Sequence, residues 1–295
     1  MKKFKLSLNN KFDFNKTISI LQRGNDDPIN RINQKTWTRV LTDKGDSGLF
    51  KIYHNKGLFV DKIDGTLSSE KAGYLVMKLL GFDDPLTDFD FLTISGLEKL
   101  ESAKGFGIPG YINLFEALVQ IIMGQQISVA VANKIRANFT QALGKYIIHD
   151  NLEYYSFPTI DRVLDTSVNQ LNALGLSANK AKSVLEVAKF LTDNQNILNN
   201  DMTNVEEIRE QLLTVYGVGN WTIDWILLRY FRKFEVIPSG DLAVQKALSW
   251  WFNKNDLITV AQLKVMEQEL YPLGGALIYR ILVAYSYYIN QTKTI

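Results

Sequence analysis

Helical periodicity extends from Tyr111 almost to the end of the chain, and it constrains the fold more than any other feature of the sequence. Apolar side chains recur there every three or four residues, which is the spacing of one face of an α-helix. The first helix is expected to end before Gly124, and the second to begin at a Ser128 cap and to close at Gly144. Further helices are predicted at residues 160–174, 178–192, 204–215, 220–232, 241–253, 259–269 and 274–290.

The residues before this helical region have a different pattern. Short alternating runs separated by Asn, Lys and Gly predict antiparallel strands, and one stretch ending at Gly81 predicts a helix. Segment 104–110 is rich in residues that break regular structure and marks a boundary. The predicted fold is an α+β N-terminal domain over residues 1–105, followed by an all-α region over residues 106–295. The elements expected in the first domain are strands at 50–54 and 57–65 and a helix at 69–80.

Composition removes several kinds of chemistry. The 33 basic residues are nearly balanced by 31 acidic ones, so a surface for an acidic polymer must be local. The chain has no cysteine and only 2 histidines, which excludes thiol chemistry and cysteine-bound zinc, and we expect no cofactor. No apolar run approaches the ~20 residues that span a bilayer, and the N-terminus lacks a signal-peptide pattern. We therefore expect a soluble, cytoplasmic protein without a membrane partner.

A Gly217-Val218-Gly219 turn separates two predicted helices. Two glycines permit a tight turn and the close approach of another backbone. The turn leads into the helix that carries Thr222. The first N–H groups of a helix have no intrahelical partner, and they lie at the positive end of the helix dipole. The turn is therefore a candidate phosphate-binding site. The alternative is a helix–helix turn in which glycine only permits packing.

A carboxylate, Asp241, follows this turn at the start of a later predicted helix. On its own, Asp241 is most simply explained as the N-terminal cap of that helix. Asp224 is a second carboxylate nearby in the sequence, and we expect it to be structural or to support the site. Trp221 and Trp225 are one helical turn apart, so the two indoles are expected to share a face.

Four segments together resemble a known family. The stretch Leu213–Thr222 resembles the helix–hairpin–helix of a DNA glycosylase superfamily, and Pro238–Val244 resembles the element that carries its catalytic aspartate. Gly124–Ala130 and Gly175–Ala181 are similar to two further motifs of its 3-methyladenine DNA glycosylase II branch. The four occur in the family's order within residues 111–295. The resemblance implies an all-α helix–hairpin–helix glycosylase region, with room for two helical subdomains flanking the active-site cleft.

The resemblance also implies a reaction. Asp241 would be the carboxylate that activates water or stabilises an oxocarbenium-like sugar while the N-glycosidic bond breaks. Trp221 stands where bifunctional members carry a lysine that forms a Schiff base, and an indole cannot act as an amine nucleophile. The chain is therefore expected to excise a base and to leave the DNA backbone uncut. Trp221 and Trp225 would form walls of the pocket for the flipped base.

Other residues would hold the DNA. Gln126, with Gln125 beside it, occupies the position of the side chain that fills the gap left by a flipped base. The alternative is that both glutamines only satisfy backbone groups in their turn. Lys180 has two equal interpretations, a phosphate contact or a solvated surface lysine. The residues expected to bind phosphate are Gly217, Val218, Gly219, Thr222 and Lys180. No side-chain metal site is expected, but the family pattern allows a monovalent cation on the backbone of Leu213, Tyr216 and Val218.

Two electron-rich indoles favour a cationic base through cation–π attraction of about 0.5–2 kcal/mol per contact. Nucleosides of 3-methyladenine and 7-methylguanine type carry such a charge. The expected function is monofunctional removal of alkylated purines from double-stranded DNA, by a monomer without a required protein partner. The alternatives are a glycosylase for another damaged base, such as an oxidised purine, or a non-catalytic helix–hairpin–helix DNA-binding protein. One departure from the branch is Leu273-Gly274, where relatives often have an aromatic residue and an arginine.

Overall fold

The N-terminal part of the protein is an antiparallel sheet with helices, as the sequence predicts. The computed structural model describes residues 3–6, 12–21, 27–87, 97–198 and 204–292. The strands form one sheet in the order β1-β5-β4-β3-β2. The elements of this part are β1 Lys3–Leu6, α1 Phe14–Leu21, β2 Arg31–Asn33, β3 Thr36–Asp43, β4 Asp46–His54, β5 Leu58–Gly65 and α2 Ser69–Leu80.

Three of these elements were predicted: α2 has the predicted bounds and β5 nearly so, whereas β4 begins at Asp46 and not at residue 50. Strands β4 and β5 pair around a tight turn, and α2 ends at Gly81, whose φ of 70° is the left-handed value that glycine adopts readily. Trp37 and Phe50 of the sheet and Ile18 of α1 are almost fully buried with the inner face of α2. These side chains form a core of their own beneath the two helices.

The second part of the chain is largely helical. Its elements are α3 Leu114–Gly124, α4 Val129–Leu143, β6 Tyr146–His149, β7 Leu152–Tyr155, α5 Ile160–Leu164, α6 Val168–Ala173, α7 Ala178–Asp193, α8 Gln195–Leu198, α9 Val205–Leu213, α10 Asn220–Arg229, α11 Leu242–Trp251, α12 Val260–Glu269 and α13 Gly274–Thr292. Helix α3 is buried from Leu114 to Met123 and contacts α4, α7 and α10. It therefore forms the centre of the helical core, and its C-terminus leads directly to the candidate site.

The prediction of an all-α region is wrong at one place. Strands β6 and β7 form an antiparallel hairpin around Asp150 and Asn151, whose φ values of 50° and 60° fit the two-residue turns that hairpins favour. Tyr154 of this hairpin packs with Val40 and Leu49 of the N-terminal sheet. The hairpin forms because it adds apolar contacts to the outer face of that sheet.

Some predicted helix boundaries also change. The predicted helix 160–174 is two helices, because Ser167 and Gln170 form a capping box that begins α6. Gly124 is the last residue of α3 and not the left-handed residue after it; that conformation is adopted by Gln126, with φ 54°. The Ser128 cap and the Gly144 end of α4 are confirmed.

Two buried ion pairs join the two parts of the chain. Arg39 of β3 donates to Glu116 of α3 at 2.9 Å, and Arg280 of α13 donates to Asp84, just after α2, at 2.9 Å. A 3-10 helix at Glu98–Ala103 packs against α13. The division at residue 105 stays a prediction from the sequence. Within the described ranges, no helix is long and apolar enough to cross a membrane.

Candidate active site

The hairpin between α9 and α10 uses its two glycines for different purposes. Gly217 has φ 79°, and a Cβ built on it would lie 1.8 Å from Oγ of Ser183 on α7. A Cβ on Gly219 would meet no heavy atom within 4 Å. Gly219 is the N-cap of α10 and makes no side-chain cap hydrogen bond. Close packing therefore requires Gly217, whereas Gly219 borders open space at an uncapped helix N-terminus.

The side chains around this turn do not all face solvent. Val218 is 5% exposed and Thr222 is 1% exposed, so neither side chain is free to contact a phosphate. Their contribution to the predicted phosphate site would come from backbone N–H groups at the start of α10. The phosphate contact of Thr222 stays a prediction for its backbone N–H, because its hydroxyl accepts a hydrogen bond from Gln125 at 2.9 Å.

Asp241 is both a helix cap and the partner of the two tryptophans. Its Oδ1 accepts from the backbone N–H groups of Ala243 at 2.7 Å and Val244 at 3.2 Å, which begins α11. Its Oδ2 accepts from the indole N–H of Trp221 at 2.8 Å and of Trp225 at 3.1 Å. The carboxylate is thus held by four N–H groups from two helices.

The two indoles differ in exposure. Trp225 is only 9% exposed and meets Tyr279 of α13 edge to face, with ring centroids 6.0 Å apart. Tyr279 stacks in turn on Phe106 at 5.9 Å. Trp221 is partly exposed and only partly packed against the core. The rings of Trp225 and Tyr279 are therefore buried, and Trp221 is the more exposed of the two indoles bonded to Asp241. No sequence motif marks Tyr279, so the sequence does not predict its place beside Trp225.

Asp224 is structural, as expected. It accepts from Arg209 of α9 at 2.9 Å and so ties together the two helices of the hairpin. Burial raises the pKa of Asp224, and the neighbouring Arg209 opposes that shift. The Asp224 carboxylate is thus paired with Arg209, whereas the Asp241 carboxylate is bonded to both indoles.

In the turn between α3 and α4, the side chains of Gln125 and Lys180 both bind to other parts of the protein. The side-chain amide of Gln125 donates to the carbonyl of Gly217 at 3.1 Å and to Thr222, so it is tied to the hairpin and is not free to insert into DNA. The ammonium of Lys180 donates to the carbonyls of Met123 at 3.0 Å and Gln125 at 2.7 Å. A cation at a helix C-terminus satisfies its last carbonyls, and these two bonds use two of the three N–H donors of the Lys180 ammonium. A phosphate contact of Lys180 stays a prediction.

Gln126 is the exposed member of the pair. Its left-handed backbone and exposed side chain leave it free to reach a ligand. Burial, with a smaller effect of Arg136, lowers the pKa of Lys180 beneath this turn.

At the Leu273-Gly274 departure from the family pattern, Leu273 packs against the helical core, and nearby Tyr271 is exposed. Within the described residues, no cluster of three His, Asp or Glu side chains could hold a metal ion.

Direct hydrogen bonds link three parts of the site: the α3–α4 turn, the hairpin with the start of α10, and Asp241. Gln125 joins the α3–α4 turn to the hairpin, and Trp221 joins the first turn of α10 to Asp241. These bonds place a helix–hairpin–helix with an open helix N-terminus next to a tryptophan that is bonded to an aspartate. The chain belongs to the HhH-GPD superfamily of base excision DNA repair proteins, whose sequence profile matches residues 119–271, just over half of the chain.

Sequence relatives fit this family. The chain is 23% identical over 255 residues to the DNA-3-methyladenine glycosylase of Bacillus subtilis (strain 168), covering 83% of this chain and 84% of the relative. It is 30% identical over 154 residues to DNA-3-methyladenine glycosylase 2 of Escherichia coli (strain K12), covering 51% of this chain and 53% of the relative. The protein is thus a DNA glycosylase of base excision repair.

Solved structures share the fold over almost the whole chain. The 3-methyladenine DNA glycosylase from Archaeoglobus fulgidus superposes with a TM-score of 0.82 at 23% identity, covering 97% of this chain and 99% of that one. An 8-oxoguanine glycosylase/lyase from Clostridium acetobutylicum, bound to double-stranded DNA, superposes with a TM-score of 0.75 at 16% identity, covering 98% and 99%. The N-terminal sheet therefore belongs to the shared fold. These likenesses do not distinguish between damaged bases.

Proposed function

We propose that this protein is a monofunctional glycosylase that flips alkylated purines of 3-methyladenine and 7-methylguanine type out of duplex DNA and hydrolyses their N-glycosidic bond. The observation that carries the proposal is the Asp241 carboxylate held between two indole N–H groups. The names of the sequence relatives support the same substrate class. We propose that the protein acts as a monomer.

The hydrogen bonds to Asp241 favour one of its two expected roles. Each carboxylate oxygen accepts two N–H groups, which occupies about four lone-pair positions, the full capacity of a carboxylate. To take a proton from water, Asp241 would have to break one of these bonds. The arrangement therefore suits a fixed negative charge that stabilises positive charge developing on the sugar.

Atoms and charges balance in this scheme. The bond between C1′ and the base nitrogen breaks, and its electron pair leaves with the base. Because an alkylated purine already carries a positive charge, it leaves as a neutral molecule and needs no general acid. Water then adds to C1′ and releases its proton to solvent. Asp241 forms no covalent bond and its charge is unchanged at the end.

Backbone groups would hold the DNA strand. The N–H groups at the start of α10, beside Gly219, favour a phosphate through the helix dipole. We also propose a monovalent cation on the carbonyls of Leu213, Tyr216 and Val218, as the family resemblance implies. In support, none of these three carbonyls accepts a hydrogen bond from the described residues.

The substrate proposal is tested with duplexes that contain 7-methylguanine or 3-methyladenine at one position. We expect release of the free base and an intact strand until alkali is added. Sodium borohydride is expected to trap no covalent adduct, because Trp221 has no amine to form a Schiff base. A duplex with 8-oxoguanine is the second arm. Faster release of 8-oxoguanine would overturn the assignment to alkylated purines, and a borohydride adduct would overturn the monofunctional assignment.

The indole N–H groups supply a further prediction. Replacing Trp221 by phenylalanine keeps an aromatic ring but removes one of two donors to Oδ2 of Asp241. A hydrogen bond to a charged group contributes about 1.5–3 kcal/mol, so we expect the single-turnover rate of base release to fall on the order of 10-fold or more. Affinity for DNA is expected to stay the same.

Trp250→Phe is the matched control for this variant. Trp250 lies near the opposite end of the helix that Asp241 caps and packs against Tyr285 and Tyr288. Its replacement is expected to leave the rate unchanged. If both variants lost the same activity, or if Trp221→Phe lost none, the indole N–H would have no role in catalysis.

A further inference from the structure

The turn that carries Gln126 is bonded directly to the hairpin. The amide of Gln125 donates to the carbonyl of Gly217 at 3.1 Å, at the apex of the hairpin, and to the hydroxyl of Thr222 at 2.9 Å, inside α10. Thr222 is 1% exposed, so this second bond is shielded from water. Gln125 thus bridges two segments that are far apart in sequence, and each segment faces the expected DNA surface.

Helix α7 supports the same two segments from below. Lys180 donates to the carbonyls of Met123 and Gln125, which fixes the end of α3 just before Gln126. One turn further along α7, Ser183 lies directly beneath Gly217. Tyr216 of the hairpin also bonds to Asn179 of α7 through its hydroxyl, at 3.4 Å. The turn and the hairpin therefore share one rigid base.

We infer that Gln125 and Lys180 are positioning residues for base extrusion: they hold the exposed Gln126 at a fixed distance from the phosphate-binding hairpin. The inference rests on the proposed function. Neither residue contacts the sugar or the base in this scheme. Both act through the placement of Gln126, and this role differs from the DNA contacts that the sequence suggests for them.

The physical reason lies in the geometry of flipping. A side chain fills the gap left by the base while the flanking phosphate is held, so the two contacts must be made in the same complex. A displacement of about 1 Å in a positioning group can reduce a rate by about 100-fold. The left-handed backbone of Gln126 has a small energetic cost, which the surrounding bonds must offset. Without them, the turn is expected to relax and to misplace the side chain.

The test replaces Gln125 by methionine, which keeps the length of the side chain and removes its donor. Single-turnover release of 7-methylguanine is measured with the lesion opposite cytosine and with the lesion opposite an abasic site, where extrusion costs less. We expect a loss on the order of 10-fold to 100-fold for the paired lesion and a clearly smaller loss for the unpaired one. Affinity for undamaged duplex is expected to be unchanged.

Lys180 is tested in parallel. Lys180→Met is expected to reproduce the selective loss on the paired lesion, and Lys180→Arg, which restores a cationic donor to the same carbonyls, is expected to recover most of the rate. The matched controls are Gln141→Met at the far end of α4, which is exposed, and Lys189→Met, further along α7 and exposed. Both controls are expected to behave as wild type.

A fluorescent 2-aminopurine next to the lesion reports extrusion without any cleavage. Equal losses on paired and unpaired lesions, or an unchanged extrusion signal in Gln125→Met, would overturn the positioning role. If the wild type extruded the lesion but released no base from any alkylated duplex, the proposed function would fail instead. The extrusion signal would then still decide whether Gln125 and Lys180 place Gln126.

Discussion

Replacing Asp241 by asparagine is expected to lower the single-turnover rate of base release by about 100-fold to 1000-fold while DNA binding is retained. The substitution removes the charge that stabilises the developing oxocarbenium ion, and a single electrostatic group in an active site contributes about 100-fold to 1000-fold. The side-chain amide of asparagine also cannot accept both pairs of hydrogen bonds that the Asp241 carboxylate accepts. If its oxygen accepts from Ala243 and Val244, its NH2 group faces the two indole donors. Binding is expected to persist because the phosphate contacts lie on the hairpin.

Asp224→Asn is the matched control. It removes a carboxylate on the helix that carries both indoles, yet keeps an acceptor for Arg209. The release rate is therefore expected to stay within about threefold of wild type, because a hydrogen bond to Arg209 is preserved. Full activity of Asp241→Asn would remove the carboxylate from the mechanism, and an equal loss in both variants would show general damage to the fold.

Replacing Gly217 by alanine is expected to have the second largest effect, on the free energy of unfolding. The new Cβ would lie 1.8 Å from Oγ of Ser183, and the backbone is left-handed with φ 79°. Overpacking costs about 1–3 kcal/mol and a left-handed residue other than glycine about 1–2 kcal/mol. We therefore expect a loss of about 3 kcal/mol in urea unfolding, with weaker DNA binding because the hairpin shifts.

Gly219→Ala separates the two functions of the turn. Its Cβ meets open space and φ is −114°, so the fold is expected to lose only about 1 kcal/mol, the usual cost of alanine at an N-cap. The methyl group would occupy the approach of a phosphate to α10. Fluorescence anisotropy is expected to show about tenfold weaker DNA binding, equivalent to about 1.4 kcal/mol. Unchanged binding would exclude this helix N-terminus as the phosphate site.

Much of the fold could be predicted where periodicity and caps agree. Strand β5, helix α2 with its end at Gly81, and helix α4 with its Ser128 cap follow from local patterns. Strand β1 is missed because its partner, β5, is distant in the sequence. Strands β2 and β3 are missed although the turns at residues 34–35 and 44–45 that pair them are local. The β6–β7 hairpin is a similar case, because Asp150-Asn151 between two apolar runs is a local turn signal that helical periodicity on both sides obscured.

The site could be predicted in its residue types but not in its contacts. Asp241 was expected to be either a cap or the catalytic carboxylate, and one oxygen of its side chain makes the cap bonds while the other meets the indoles. The partners of Gln125 and Lys180 could not be predicted, because their acceptors are 55 to 97 residues away. A polar side chain in a motif can bond either to other residues of the protein or to the ligand, and the sequence alone does not distinguish the two.

The buried pairs Arg39–Glu116 and Arg280–Asp84 limit how this enzyme could be re-engineered. A chimera that grafts residues 106–295 onto a foreign N-terminal sheet would leave Glu116 and Arg280 in an apolar interior without a counter-charge. Each orphaned charge costs about 3–5 kcal/mol, and two together are comparable to the whole stability of a typical domain. A successful graft would have to carry Arg39 and Asp84 along or replace both pairs with apolar residues. The two parts of the chain are therefore interdependent rather than interchangeable.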